Sequence, residues 1–435
     1  MLRVTIIGAG SVEFTRNVVA DLCWYEELHG SVTFALHDID ENRLAYAHRA
    51  AESIVRRTGA GYTVEAHRER RPALEGAAYA INEIQVGGYA ATVTDFEIPK
   101  KFGLRQTIGD TLGIGGVMRG LRTIPVVVEI GEDMHELCPD ALLLNYTNPM
   151  AMVPWGVYAG SAFHRVVGVC HSVRDTHHFL AESVRVPEDD IAFRTAGFNH
   201  QAFVYEFRRR STGEDLYPRL REIVDADPEG LGRRVRVEIF KRFDYFPTES
   251  SEHSSEYVPW FLKHDDMVDR FRILVDDYIF RSDANLVEWE ETKAALDRGE
   301  ELDVEPSSEL ASEIIRSLET GEPREVYGNV RNGGLIEGLP DDACVEVPCL
   351  VDKNGFQPTL IGAIPPQTLA LNRTFVNVAE LTVRAALERR RDLVYQAALV
   401  DPNAGATLTT GQIVEMCDEL IQAHGDLMPE GIRAA

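Results

Sequence analysis

The chain has 435 residues, with 44 Lys and Arg against 70 Asp and Glu, for a formal net charge of −26. That sign repels a phosphate backbone or an anionic lipid surface, and no basic stripe relieves it, which excludes sequence-general nucleic-acid binding. At ~150 residues per domain the length fits two or three structural units. A hydrophobic fraction of 44% fills an ordinary core.

No apolar run approaches the ~20 residues needed to span a bilayer. The opening Met1-Leu2-Arg3-Val4-Thr5-Ile6-Ile7-Gly8 lacks a basic n-region and a cleavage site, so it reads as a strand start rather than a signal peptide. Cys23, Cys138, Cys170, Cys344, Cys349 and Cys417 are scattered without framework spacing, and free thiols in a reducing cytoplasm are expected.

Val4–Ile7 is predicted as a strand, Val12–Trp24 as a helix, Val32–Leu36 as a second strand and Glu41–Arg57 as a second helix. Ala77–Ile81, Ala141–Leu144 and Val166–Val169 are further short buried strands, with helical stretches near Gly131–Leu137 and Pro149–Tyr158. This alternation predicts parallel βαβ units in a doubly wound, Rossmann-like sheet over residues 1–195. Gly8, Asp38, Asn82, Asn145 and Cys170 each fall at or just past a strand's carboxyl end, the edge where open α/β sheets bind ligands.

Past residue 195 the pattern changes. Phe203–Arg208 and Glu346–Val351 read as strands; Arg233–Phe243, Ser308–Thr320 and Val376–Arg391 read as helices. The acidic run Asp297–Glu305 reads as a solvated loop or helix end. Residues 196–435 are expected to form an α+β domain folded back onto the first.

Strand Val4–Ile7 runs into Gly8-Ala9-Gly10-Ser11 and a helix, where two glycines let the backbone approach a pyrophosphate at the helix N-terminus. Glu13 stands where the third glycine of the usual pattern would be. Asp38 ends the second strand, and a carboxylate there accepts from both ribose hydroxyls of NAD while repelling the 2′-phosphate of NADP. NAD is the expected cofactor.

Cys170 ends a buried strand, and Ala196-Gly197-Phe198-Asn199-His200 offers an imidazole thirty residues on. A thiolate and an imidazole suit a divalent metal in a site left open to substrate oxygens, although the same pair also suits a buried thiol and a hydrogen-bonded histidine. Thr107–Gly116 is a glycine-dense loop around Asp110. In Asn145-Tyr146-Thr147-Asn148-Pro149, Pro149 is expected to start a helix at its first position, leaving Asn148 in the same crevice as Cys170. Amides and a carboxylate facing a crevice suit a polyhydroxyl ligand.

Together these segments resemble glycoside hydrolase family 4, the NAD- and manganese-dependent glycosidases related in fold to lactate and malate dehydrogenases. The resemblance rests on GAGS, the Asp38 strand end, Ile81-Asn82 before Val86-Gly87-Gly88, GDTLGIGG, NYTNPM, Cys170-His171-Ser172-Val173, GFNH, the segment Thr248–Tyr257, and Val345-Glu346-Val347-Pro348. The CHSV form and the ESSEH segment look like the α-galactosidase branch.

The resemblance implies redox elimination: oxidation at the sugar's C3, loss of the C2 proton, elimination of the aglycone, water addition and re-reduction. It implies Mn2+ or another divalent metal on Cys170 and His200. NAD is implied on Gly8, Gly10, Ser11, Asp38 and Asn82, with substrate on Asn148. His171 would protonate the leaving oxygen, and Asp110 would support the base. Glu249 is the expected base, with Tyr245 and His253 behind it. The expected partners are a small-molecule glycoside and further copies of the chain, as a dimer or tetramer. Competing readings are a related α-galacturonidase or α-glucosidase, a plain NAD-dependent sugar dehydrogenase, and a catalytically silent sensor.

Overall fold

Six short strands of the first half lie side by side and parallel in the order β3-β2-β1-β4-β5-β6. They are β1 (Leu2–Ile7), β2 (Val32–His37), β3 (Thr63–His67), β4 (Tyr79–Asn82), β5 (Leu142–Asn145) and β6 (Val166–Val169). This computed structural model describes residues 2–227, 230–232, 234–302, 306–307 and 309–434. The expectations at Met1, Arg233, Ser308 and 303–305 lie outside the described residues.

β2, β4, β5 and β6 are buried at every residue, which is why they read as continuous apolar runs rather than as alternation. β3 had no such signature because it is an edge strand, exposed or half-buried at every residue. The strand order reverses between β1 and β4, so a crevice opens past their carboxyl ends.

A second difference lies at Gly113–Leu137, which forms one helix of 25 residues where a loop and a short helix were expected. Gly115 and Gly116 serve close packing rather than a turn: a Cβ on Gly115 would stand 2.3 Å from the Gly109 carbonyl oxygen, and one on Gly116 2.5 Å from the Thr111 carbonyl carbon. Pro149 does not open the next helix, which begins at Met152 and ends at Gly160.

The sheet continues antiparallel from β6 through β9 (Arg324–Arg331), β10 (Cys344–Asp352), β7 (Ile191–Phe198) and β8 (Gln201–Arg209), with β11 (Gly355–Pro358) on β10. β7 crosses residue 195, so hydrogen bonding links the two segments of the chain in one sheet. Helices Arg234–Phe243 and Leu310–Thr320 stand where periodicity put them. The helix expected from Val376 instead spans Pro366–Glu388 and stops at Arg389, whose φ is 55°.

The main core runs through both faces of the sheet. A smaller cluster of Val173, Leu180, Phe193, Phe207, Phe240 and Phe246 packs beside it. No helix among the described residues is long and apolar enough to cross a membrane.

Candidate functional site

The glycine loop after β1 and the acidic end of β2 interlock. Asp38 Oδ2 accepts from the Gly10 N–H at 2.8 Å, its Oδ1 accepts from Asp40 N–H at 2.8 Å, and Arg43 Nη1 donates to the Gly10 carbonyl at 3.1 Å. A Cβ on Gly10 would stand 2.6 Å from Asp38 Oδ2 and 2.7 Å from Arg43 Cβ, so a side chain there would displace the end of the second strand. Gly8, Gly10, Ser11 and Asp38 line a cavity of about 610 Å³ that also takes in Phe14, Glu83, Tyr278 and Trp289. Its volume and its loop-to-helix rim fit an extended dinucleotide. Asn82 is not in that wall. Its Nδ2 donates to Asn145 Oδ1 at 2.8 Å, and its Oδ1 is buried without a partner.

Cys170 follows β6, and His200 sits in the two-residue turn joining β7 to β8, where Phe198 pairs with Gln201. His200 has a φ of 64°, a left-handed conformation uncommon outside glycine and asparagine. The turn is held from below: Asn199 Nδ2 donates to the buried Glu346 Oε1 at 3.0 Å. This brings Cys170 Sγ to 3.3 Å from His200 Nε2. His200 Nδ1 faces the Thr111 hydroxyl at 3.2 Å and the Tyr257 hydroxyl at 3.4 Å. Burial opposes charge on this imidazole, but the Cys170 sulfur and the carboxylates of Glu249 and Asp110 outweigh it and push it up to about 10.

Glu249 arrives by a different route. Residues 246–248 run alongside β8, with Thr248 N–H donating to the Ala202 carbonyl at 2.8 Å. A φ of 67° at Glu249 then turns the chain into the short helix Ser251–Glu256, capped by Ser250 Oγ on His253 N–H. Cys170, His200 and Glu249 thereby offer sulfur, nitrogen and oxygen donors all within 4.8 Å of one another. Asp110, His200 and His253 form a second such group, sharing His200. Thiolate, imidazole and carboxylate donors at that spacing fit one divalent cation.

His253 lies between two carboxylates, with Nδ1 at 3.6 Å from Glu249 Oε1 and Nε2 at 3.8 Å from Asp110 Oδ1. Burial raises the Glu249 carboxyl, but His253 and His200 more than reverse this and hold it below its ordinary value. Burial likewise fails to lift Asp110: His253 and Arg119 hold it well below the usual carboxylate range. Asn148 Nδ2 donates to Asp110 Oδ2 at 2.6 Å, which ties the amide to the carboxylate. Two carboxylates held below their ordinary values thus stand beside His200 and His253.

His171, next to Cys170, is 3.0 Å from Glu309 Oε2 through Nε2. Its ring lies 6.1 Å from that of Tyr146, which lies 5.7 Å from Phe14 in the cavity wall. The donor cluster and the cavity are therefore neighbours. Tyr245 is not part of the cluster; its ring packs against Tyr205 at 5.3 Å and Tyr217 at 6.2 Å.

Sequence reasoning missed Glu309 and Glu256. Glu256 is buried, accepts from the backbone N–H groups of Thr107, Ile108 and Gly109 at 2.9 to 3.3 Å, and so holds the loop that carries Asp110. Its one signal was its place three residues after His253 on the same short helix. Glu309 lies 138 residues from His171 and had none.

The profile described as Family 4 glycosyl hydrolase matches residues 3–186, and that of the Family 4 glycosyl hydrolase C-terminal domain matches residues 195–404. An alpha-galactosidase of Bacillus subtilis (strain 168) is 42% identical over 434 residues, covering 99% of this chain and 100% of that protein. An alpha-galactosidase of Rhizobium meliloti (strain 1021) is 35% identical, covering 98% of this chain and 89% of that protein. The 6-phospho-beta glucosidase of Thermotoga maritima, solved with manganese, NAD+ and glucose-6-phosphate, shares the fold at a TM-score of 0.80 and 22% identity, covering 98% of this chain and 99% of that one. Matched along both halves, and over nearly its whole length by those two relatives, this chain is a glycosidase that belongs to the family 4 glycosyl hydrolases.

Proposed function

We propose that the protein hydrolyses α-galactosides by redox elimination, with NAD and Mn2+ as resident cofactors. The observation that carries this reading is the Cys170–His200 pair, with the Glu249 carboxylate within 4.8 Å of both, beside a dinucleotide-sized cavity rimmed by Gly10 and Asp38. Full-length relatives named alpha-galactosidase support the choice of sugar. When bound, NAD supplies reversible oxidation of the sugar's 3-hydroxyl, and the metal supplies a Lewis acid for the 2- and 3-oxygens.

In this reading Gly8, Gly10, Ser11 and Asp38 hold the dinucleotide, and Cys170 and His200 hold the metal. Asn148 binds a sugar hydroxyl through its buried, unpartnered Oδ1. A carbonyl at C3 acidifies the C2 proton, and Glu249, whose carboxyl is held below its ordinary value, removes it. Asp110, 3.8 Å from His253 Nε2, orients that ring toward Glu249. His171 gives a proton to the departing glycosidic oxygen. The scheme differs from the two-carboxylate route of most glycosidases.

The test is hydrolysis of 4-nitrophenyl α-galactoside in deuterated water with NAD and Mn2+. Released galactose should carry deuterium at C2, and NAD should be required without being consumed in proportion to product. Galactose without solvent deuterium at C2 rejects the mechanism. NADH accumulation without aglycone release identifies a dehydrogenase instead. Glu249→Gln should suppress the exchange, since an amide cannot take the proton. Running α-glucosides and α-galacturonides in the same panel tests the sugar.

A further inference from the structure

We infer that Glu309 is the positioning residue of His171, fixing the ring so that Nδ1, not Nε2, faces the leaving oxygen. The inference rests on the acid role proposed for His171 above. Three observations carry it. Glu309 is 5% exposed, and its Oε2 lies 3.0 Å from His171 Nε2. Glu309 is itself held from behind by Asp21, a buried carboxylate on the helix Val12–Cys23. Asp21 accepts from Glu309 N–H at 2.5 Å, from Ser307 N–H at 2.6 Å and from Ser307 Oγ at 2.9 Å. The Tyr146 ring lies 6.1 Å from the His171 ring at 32°, and the Tyr146 hydroxyl accepts from Ala311 N–H at 2.8 Å, two residues beyond Glu309.

The chemistry follows from the bond. A carboxylate only accepts, so Nε2 is the protonated nitrogen of a His171–Glu309 pair, and Nδ1 is the atom left to exchange a proton. In the elimination the proton at C2 goes to the base, and the C2–H electron pair becomes the C1=C2 double bond. The C1–O bond breaks, and its pair leaves on the glycosidic oxygen, which takes the Nδ1 proton. His171 is left neutral with its Nε2 proton still on Glu309, ready to activate water for the return step. Burial, then the charge of Glu309, pushes the neighbouring Glu83 carboxyl well above its ordinary range. Without Glu309 the imidazole is free to rotate and to present either nitrogen.

Glu309→Gln, Glu309→Asp and His171→Gln enzymes, each supplied with NAD and Mn2+, are compared on two substrates. 4-Nitrophenyl α-galactoside has a leaving group that needs little protonation, whereas that of methyl α-galactoside needs it fully. Reactions run in deuterated water, and uncleaved methyl galactoside is recovered. For E309Q, kcat should fall about tenfold further on the methyl than on the nitrophenyl substrate. Recovered methyl galactoside should carry deuterium at C2, because elimination has become slower than return of a solvent deuteron. E309D should restore part of the loss, and H171Q should show the same two signatures more strongly.

Equal losses on both substrates in E309Q, with no deuterium in recovered substrate while H171Q shows both signatures, overturn the role of Glu309 and leave the proposed reaction standing. Absence of both signatures in H171Q removes the acid role of His171, and this inference with it. If E309Q does not fold, Asp21→Asn, which loosens Glu309 without touching the ring, is read by the same two signatures.

Discussion

Cys170 Sγ lies 3.3 Å from His200 Nε2, although one ends a parallel strand and the other tips an antiparallel hairpin. The contact exists because the sheet changes sense at β9, which pairs antiparallel with β6 and brings β10 and then β7 alongside. If the pair holds the metal, Cys170→Ser and His200→Ala should each weaken Mn2+ binding by at least about 100-fold, more than loss of a supporting residue costs. Metal analysis after gel filtration reads this directly. Stoichiometric Mn2+ in both variants removes the assignment.

Asp38 has two tasks that one experiment separates. It faces the cavity where a ribose would lie, and it also accepts the Gly10 N–H. Asp38→Ala should lower NAD affinity at least about tenfold, since each hydrogen bond to a charged group contributes about 1.5–3 kcal/mol. The loss for NADP should be smaller, and the difference between the cofactors measures the ribose role. Equal losses in titration calorimetry would assign Asp38 to holding the glycine loop alone.

Gly115→Ala tests the close packing of the Asp110 loop on the helix behind it. The added methyl would meet the Gly109 carbonyl oxygen at 2.3 Å and Gln106 Oε1 at 2.9 Å. Overpacking of this kind costs about 1–3 kcal/mol, and Tm should fall accordingly. Gly411→Ala is the control, because nothing lies within 4 Å of its added Cβ and it sits in the helix Thr410–His424. There Tm should hold or rise by the equivalent of about 0.4–1 kcal/mol. Matching effects at the two positions would count against the packing argument.

Glu256 and Asp110 should bend the pH–stability curve in opposite directions. Burial pushes Glu256 up from its ordinary 4.5 to about 7, against the pull of its N–H partners. Between those values the folded protein keeps a proton that the unfolded chain has lost, so stability falls as pH rises through this window, by on the order of 3 kcal/mol. Asp110 is held below its ordinary 3.8, so it contributes stability above that pH, and this is lost as the pH falls. Urea titrations across pH should show the upper slope flattened in Glu256→Gln and the lower one in Asp110→Asn. An unchanged slope between pH 4.5 and 7 in E256Q would mean that another group titrates there.

The glycine-loop half of the candidate site was legible because its determinants are local. Strand, glycine turn and helix N-terminus are consecutive in the chain, and Asp38 follows the next strand, so Gly10 and Asp38 could be named before their 2.8 Å contact was seen. Cys170 and His200 were legible as donors from residue type and strand-end position. Their distance was not, because it depends on β9 and β10, strands contributed more than a hundred residues later. The long helix Gly113–Leu137 was misread for the converse reason. Glycine discourages a helix locally, and only the neighbouring Gly109 carbonyl explains why side chains are excluded there. Glu309 and Asp21 could be known only from the tertiary structure, and Glu256 had only its spacing from His253 to mark it. A carboxylate in a sequence is by default a solvated charge, and nothing local distinguishes one that folding buries against an imidazole, a backbone turn or three N–H groups.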